Sequence, residues 1–353
     1  MIVVTGGAGF IGSNFVLDWQ SSTSEPVVNV DKLTYAGKLG TLRQLQDKSR
    51  YDFVQADVCD RAAMDHIFEK YRPRAIVHFA AESHVDRSIQ APREFVLTNV
   101  VGTFTLLQAA HLYWSRLRDD EKKVFRFLHV STDEVFGSLG PTDAPFSETS
   151  PYAPNSPYSA TKAGSDHLVR AWHYTFDLPT LITHCSNNYG PFQFPEKLIP
   201  LMIRRALEGN TLPIYGDGLN VRDWLYVGDH CSAIRKVLAG GVPGETYNIG
   251  GWNELTNMDV VGALCDLLDR FRPKSSGSYC DQIEMVDDRP GHDRRYAIDA
   301  RKVQTELGWE PAETFESGLE KTIRWYLNHQ EWVHEVASGG DPNWEAGGYA
   351  KQA

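Results

Sequence analysis

The chain has 353 residues, 42% hydrophobic and 23% charged, a length and balance that suit one large domain or two lobes and exclude disorder along the whole chain. Its formal net charge of -11 repels polyanions and excludes the basic face on which nucleic-acid binders depend, so no nucleic-acid partner is expected. A small anionic ligand remains compatible, because a few converging arginines neutralise a diphosphate locally.

The five cysteines, Cys59, Cys185, Cys231, Cys265 and Cys280, are odd in number and lack C-x-x-C spacing, which reads as a set of reduced thiols. A strand-like run starts at Met1-Ile2-Val3-Val4, and no stretch holds 18 uninterrupted apolar residues. The expectation is a cytoplasmic protein with no membrane partner. None of the twelve histidines has a zinc-binding spacing, so no metal is expected.

In chain order, Val/Ile-rich runs predict strands at Ile2–Thr5, Pro26–Val30, Tyr51–Ala56, Ala75–Phe79, Phe125–Ser131 and Thr180–Cys185. Apolar positions recurring at three and four residues predict helices at Phe10–Trp19, Arg61–Lys70, Phe95–Tyr113 and Tyr158–Phe176 between them. Such alternation predicts an α/β fold, a Rossmann-like doubly wound parallel sheet. After about residue 186 the pattern changes to polar loops, single helices and turns such as Tyr215-Gly216-Asp217-Gly218 and Asp288-Arg289-Pro290-Gly291. Residues 1–186 are therefore expected to form the dinucleotide-binding domain, and 187–353 a smaller C-terminal substrate-binding lobe, with the chain free to cross between them. The Gly- and Asp-rich tail after Gly339 is expected to be mobile.

Directly after the first strand comes Thr5-Gly6-Gly7-Ala8-Gly9-Phe10-Ile11-Gly12. Here Gly6 suits a tight bend, Gly9 lets backbone approach a pyrophosphate, and Gly12 allows close packing at a helix start whose dipole favours an anion. Asp31 ends the second strand, where a carboxylate accepts hydrogen bonds from a ribose and repels the extra phosphate of NADP. Lys32 beside it would soften that repulsion, so NAD is favoured with the cation left as a counter-argument. Asp57 follows the third strand, within reach of an adenine amino group by the same logic.

Ser156 and Pro157 make a helix start, placing Tyr158 and Lys162 one turn apart on one face. An ammonium there stabilises a phenolate, which makes the tyrosine a base for a hydroxyl proton. Ser131-Thr132-Asp133-Glu134-Val135-Phe136-Gly137 then supplies a hydroxyl and two acids at the end of the fifth strand. The plain alternative is a solvated polar turn. Adjacent side chains on a strand also point to opposite faces, so both acids reach one ligand only if the backbone bends there.

With the glycine turn, Tyr158, Lys162 and Arg222-Asp223, the chain resembles the extended short-chain dehydrogenase/reductase family along nearly its whole length. The Thr132-Asp133-Glu134 segment is similar to that of the dTDP-glucose 4,6-dehydratase family within it. So are Ala80-Ala81-Glu82-Ser83-His84-Val85-Asp86-Arg87-Ser88, Asn187-Asn188-Tyr189-Gly190-Pro191, Pro195-Glu196-Lys197-Leu198-Ile199-Pro200 and Arg222-Asp223-Trp224-Leu225-Tyr226-Val227. Phe136 departs from that pattern, where tyrosine is usual.

The resemblance implies a bound NAD, a nucleotide-diphosphate hexose as substrate and a homodimer joined through the helices at 95–113 and 158–176. It implies catalytic roles for Thr132, Asp133, Glu134, Tyr158 and Lys162. Cofactor contacts would fall to Gly6, Gly9, Phe10, Ile11, Gly12, Asp31, Lys32, Asp57, Val58, Ala80, Ala81, Ser83, Thr98, Tyr158, Lys162 and Asn188. Substrate contacts would fall to Ser83, His84, Thr132, Asn187, Lys197, Leu198, Pro213, Tyr215, Arg222, Asn257, Arg289 and His292. Two rival expectations are an epimerase or decarboxylase acting on a UDP-sugar and a non-catalytic NAD-binding module; Asp133 argues against the first and the Tyr158–Lys162 pair against the second.

Overall fold

The computed structural model of the chain describes residues 1–43, 45, 48–288 and 292–338. The strands run β1 (Ile2–Thr5), β2 (Val27–Asp31), β3 (Tyr51–Gln55), β4 (Ala75–His78), β5 (Arg126–Thr132), β6 (Thr180–Cys185), β7 (Asn187–Tyr189), β8 (Leu212–Tyr215), β9 (Val221–Tyr226), β10 (Thr246–Ile249), β11 (Glu254–Thr256) and β12 (Ile283–Val286). Seven of them form one parallel sheet in the order β10-β6-β5-β4-β1-β2-β3.

Both faces of that sheet are buried because successive side chains alternate between them. Ile2 and Val4 enter one core with Phe15 and Ile234, whereas Val3 enters another with Val28, Leu106 and Val169. The sheet is thus doubly wound, and its strand order reverses between β1 and β4. At that switch point the carboxyl ends of the strands open a crevice, the usual ligand position in such sheets.

Six strands are expected from the sequence and seven pair in the sheet. The addition is β10, a four-residue strand whose Tyr247, Asn248 and Ile249 are fully buried; its polar Thr and Asn hide it among the turn-rich segments. It arrives from beyond residue 187 and pairs with β6. Helix Val227–Gly240 likewise packs on helix Phe10–Ser22. Another core, with Met202, Leu264, Leu319 and Tyr326 at its centre, joins helices Leu198–Glu208, Asn257–Phe271 and Phe315–Asn328. The β7-β9-β11 and β8-β12 sheets accompany it.

Helix Pro157–Phe176 starts where the sequence places it. Ser156 accepts the Ser159 backbone N–H at 3.1 Å, and Pro157 fills the first turn. The helix expected at 95–113 is longer: Pro92 to Ser115, with a π-helical stretch at Val96–Gly102. The side chain of Asn99 spans that stretch, accepting from the Glu82 backbone N–H at 2.9 Å and donating to the Glu82 carbonyl at 3.0 Å and Thr161 Oγ1 at 2.9 Å. By length and composition this helix is apolar enough to cross a membrane, with half of its most apolar window buried inside the protein.

Candidate active site at the carboxyl edge of the sheet

A cavity of about 330 Å³ opens at the switch point, within the range of small-ligand sites. One end is the glycine turn. Gly6 has φ +73°, and a Cβ there would lie 2.5 Å from the Ala80 nitrogen; one on Gly12 would lie 2.2 Å from the Gly6 carbonyl oxygen. Gly9, which caps the helix without a side chain, meets nothing closer than 3.4 Å. Gly6 and Gly12 therefore shape the turn, while Gly9 keeps its cavity side open to a phosphate-bearing ligand.

Asp31, at the end of β2, accepts the Ala8 backbone N–H at 2.9 Å and the Leu33 N–H at 2.8 Å. Burial raises its carboxyl above the ordinary value, and those two amides pull against the rise. Lys32 is tied to Asp57 at 2.7 Å. Burial opposes the Asp57 charge, but the Lys32 ammonium holds that carboxyl below its usual range. The cation that weakened the argument for NAD is thus partnered by a carboxylate, leaving Asp31 to meet a ribose. This end of the cavity fits a dinucleotide without a 2′-phosphate.

At the other end, β5 stops at Thr132 and the chain turns into a 3-10 helix, Asp133–Phe136. The bend needed to bring two adjacent acids to one ligand is present, and Thr132, Asp133, Glu134, Tyr158 and Lys162 all line the cavity. Asp133 is 1% exposed. Burial, then repulsion from Glu134 and Asp223, pushes its carboxyl well above the ordinary value, with Arg222 pulling the other way. Thr132 Oγ1 donates to its Oδ1 at 3.3 Å, and its Oδ2 is buried with no hydrogen-bond partner. A neutral carboxylic acid, the form that donates a proton, suits this setting.

Burial, then Glu134, raises the Tyr158 phenol well above its usual value, while a hydrogen bond from Thr132 lowers it. Lys162 donates to the Val130 carbonyl at 2.8 Å, and burial lowers its ammonium. A phenol so placed needs nearby positive charge to act as a base near neutrality.

Among the expected cofactor residues, Phe10, Ile11, Lys32, Asp57, Val58, Ala80, Ala81, Ser83, Thr98 and Asn188 also border the cavity, as do Asn187 and Lys197 of the expected substrate set. His84 stands apart as a helix cap, accepting the Arg87 N–H at 3.3 Å. Leu198 begins the next helix. Pro213 and Tyr215 lie on β8, where the Tyr215 ring meets His292 at 6.1 Å. Arg222 on β9 donates to the Val221 and Asp293 carbonyls at 2.8 and 2.9 Å and covers the Tyr296 ring at 4.4 Å. Asn257 opens a helix through its backbone bond to the Asn220 carbonyl at 3.0 Å. None of these borders this cavity, and Arg289 lies outside the described residues.

The structure adds Glu82, Ser186, Phe192, Gln193 and Glu196 to the wall. Glu82 and Glu196 stand inside segments whose family resemblance was plain, and each carboxyl is raised by burial. Phe192 gives no signal in the sequence, since its position depends on a left-handed backbone at φ +67°. Among the described residues no group of three or more His, Cys, Asp or Glu is arranged to hold a metal ion.

A dTDP-glucose 4,6-dehydratase of Neisseria meningitidis is 58% identical over 341 residues, covering 96% of each chain. A Streptomyces venezuelae dTDP-glucose 4,6-dehydratase structure with NAD bound is 46% identical, with a TM-score of 0.85 over 95% of this chain and 99% of that one. A UDP-glucose 4-epimerase from Thermotoga maritima is 28% identical, with a TM-score of 0.81 over 93% and 99%. The model of the family described as GDP-mannose 4,6 dehydratase matches residues 3–322, and the chain belongs to that family of nucleotide-sugar enzymes, with dTDP-glucose 4,6-dehydratases among its relatives.

Proposed function

We propose that the chain is a dTDP-glucose 4,6-dehydratase, a hydro-lyase that converts dTDP-glucose to dTDP-4-keto-6-deoxyglucose around a bound NAD. The observation that carries this reading is the turn after β5, which sets buried Asp133 and half-buried Glu134 on one cavity with Tyr158 and Lys162. An epimerase or decarboxylase need not expel water from C6, so neither requires an acid beside the base.

NAD, when bound, supplies the acceptor for the hydride leaving C4 and the donor for its return to C6. Gly6, Gly9, Phe10, Ile11, Gly12 and Asp31 would hold it at one end of the cavity, Lys162 at the other. Tyr158 takes the C4 hydroxyl proton, with Thr132 polarising that oxygen and Lys162 stabilising the phenolate. The C4 ketone acidifies C5, whose proton passes to Glu134. Asp133, already neutral, protonates the departing C6 hydroxyl, and water leaves; as hydride adds at C6, Glu134 returns its proton to C5, and the proton taken by Tyr158 passes through solvent to restore Asp133. Asn187, Ser83 and Lys197 meet the sugar diphosphate in the cavity, and Tyr215, Arg222 and His292 extend its binding beyond. Thymine differs from uracil by one methyl, worth about 1–3 kcal/mol in a pocket; the choice of thymine rests on the relatives.

A homodimer completes the reading. Leu97, Val101 and Phe104 are 36–39% exposed on helix Pro92–Ser115, and Phe176 is 42% exposed on helix Pro157–Phe176. Trp172 meets Phe104 at 5.7 Å and Phe176 at 5.4 Å, joining the two helices in one apolar face. Two helices from each copy would make a four-helix seam. Placement in the cytoplasm rests on the odd cysteine count.

The test is incubation of the purified protein with dTDP-glucose. Mass spectrometry should find a product lighter by one water; a sugar of unchanged mass would support the epimerase instead.

A further inference from the structure

Behind the cavity lies a buried polar cluster that the chemistry above does not use. Tyr158, Lys162 and Asp166 follow one another at four-residue spacing on helix Pro157–Phe176, so they lie along one face. Asp166 is 2% exposed. Its Oδ2 accepts Ser131 Oγ–H at 2.9 Å and Tyr152 O–H at 3.1 Å, and lies 2.9 Å from His184 Nε2. Its Oδ1 faces His129 Nε2 at 3.3 Å. That same nitrogen lies 3.4 Å from Lys162 Nζ. A carboxylate on which several donors converge stays ionised even in the core, and this one is held well below the ordinary range against the cost of burial.

We propose that Asp166 is a positioning residue of the C4 oxidation: through His129 it serves as the fixed counter-charge that keeps Lys162 an ammonium beneath Tyr158.

The surroundings leave Asp166 this role. Lys162 is 4% exposed and donates to one carbonyl, so burial favours its neutral amine. From β4, His78 sits 5.2 Å from the His129 ring and bonds Thr5 and Thr103. From β5, His129 is pushed down to about 4 by burial and then by Lys162. Both imidazoles are therefore neutral near pH 7. From β6, His184 is shared between Asp166 and Tyr152, and burial keeps the Cys185 thiol protonated. On the helix itself, burial raises the Tyr158 phenol, so until it is deprotonated it offers Lys162 no counter-charge. Of the groups that raise the Lys162 ammonium, Asp166 is the strongest.

His129 presents one nitrogen to both ions. When Nε2 carries the proton it turns a positive edge towards Asp166 Oδ1, 3.3 Å away and outside hydrogen-bond geometry; when it does not, it accepts from Lys162. In either form the imidazole fills the space between a cation and an anion with polarisable, water-free material, so the attraction is weakly screened.

The inference rests on the dehydratase reading for its kinetic arm alone. Asp166→Asn, in the full chain with its cofactor, keeps the shape and most hydrogen bonds while removing the charge. Lysine labelled with carbon-13 at Cε, with Lys162 assigned through Lys162→Arg, reports the ammonium directly. Loss of the carboxylate should lower the Lys162 midpoint by about one pH unit or more. The alkaline limb of kcat should move down equally, with KM changed by less than about twofold. Should Asp166→Asn not fold, His129→Gln tests the bridge and should shift the midpoint in the same direction. Lys162 titration and pH profile superimposable on the unmodified protein, with only thermal stability reduced, would overturn the proposal. A shifted midpoint in Asp166→Asn, with no water lost from dTDP-glucose by the unmodified protein either, would retain Asp166's hold on Lys162 and refute the dehydratase reading.

Discussion

Thr132 Oγ1 accepts the Glu134 backbone N–H at 3.3 Å, and this bond caps the 3-10 turn in which β5 ends between a hydroxyl and two acids. On a continuing strand Asp133 and Glu134 would face opposite sides of the sheet. The turn puts both on one cavity in different surroundings, which is how two carboxyls divide acid from base.

That division predicts unlike failures. Glu134→Gln should still oxidise C4, so reduced nicotinamide builds up on the enzyme while water loss falls by about 10²–10⁴. Asp133→Asn should keep C5 proton removal, seen as deuterium entering recovered dTDP-glucose in heavy water, while product slows by a similar factor. Asp133→Asn forming product at the unmodified rate would mean that the turn is only a polar connection.

The same acid makes a prediction about stability. Its carboxyl is raised above 3.8 in the folded chain, so between 3.8 and the raised value the folded state binds more protons than the unfolded state. Stability from this group is fully present below 3.8 and is lost as pH rises through that window. The amide introduced by Asp133→Asn does not titrate. The Tm advantage of that variant over the unmodified chain should therefore grow from pH 4 to pH 8 in thermal melts, and a gap that shrinks with rising pH would refute the assignment.

At the glycine turn, Gly6→Ala needs a Cβ at 2.5 Å from the Ala80 nitrogen and a residue at φ +73°. Backbone cannot yield there cheaply, and a left-handed alanine costs about 1–2 kcal/mol before the clash. Denatured Gly6→Ala protein should release little dinucleotide by chromatography, whereas the unmodified protein should release close to one per chain. Equal release would remove the turn from the cofactor site.

For the exposed apolar face, Phe104→Glu places a charge where Leu97, Val101 and Phe176 would meet a second copy. If this face is the seam, the unmodified protein should sediment as a dimer and the variant as a monomer, with secondary structure by circular dichroism retained. An unchanged dimer would move the seam elsewhere on the surface.

Much of this was legible because local chemistry dictated it. Gly6, Gly9 and Gly12 are spaced for a turn that admits little else, and Ser156-Pro157 fixes where the Tyr158 helix begins. The bend at Thr132 was not legible: alternation along β5 runs unbroken to Thr132, and a hydroxyl cap on Glu134 looks like any polar pair. Strand β10 was hidden because Thr246-Tyr247-Asn248-Ile249 pairs with a strand about 60 residues away, and pairing decides its state. Asp166 was invisible as anything but a helix residue until Ser131, Tyr152, His129 and His184 converged on it from other elements.

On the proposed chemistry, hydrogen leaves C4 and returns to C6 in one cavity while one water departs between those events. dTDP-glucose deuterated at C4, incubated in ordinary water with the purified protein, tests it most directly by mass spectrometry and NMR of the product. The account predicts a product lighter by one water that carries the deuterium at C6. A product of unchanged mass with inverted C4, or a 4-keto-6-deoxy sugar whose C6 holds only solvent hydrogen, would contradict it.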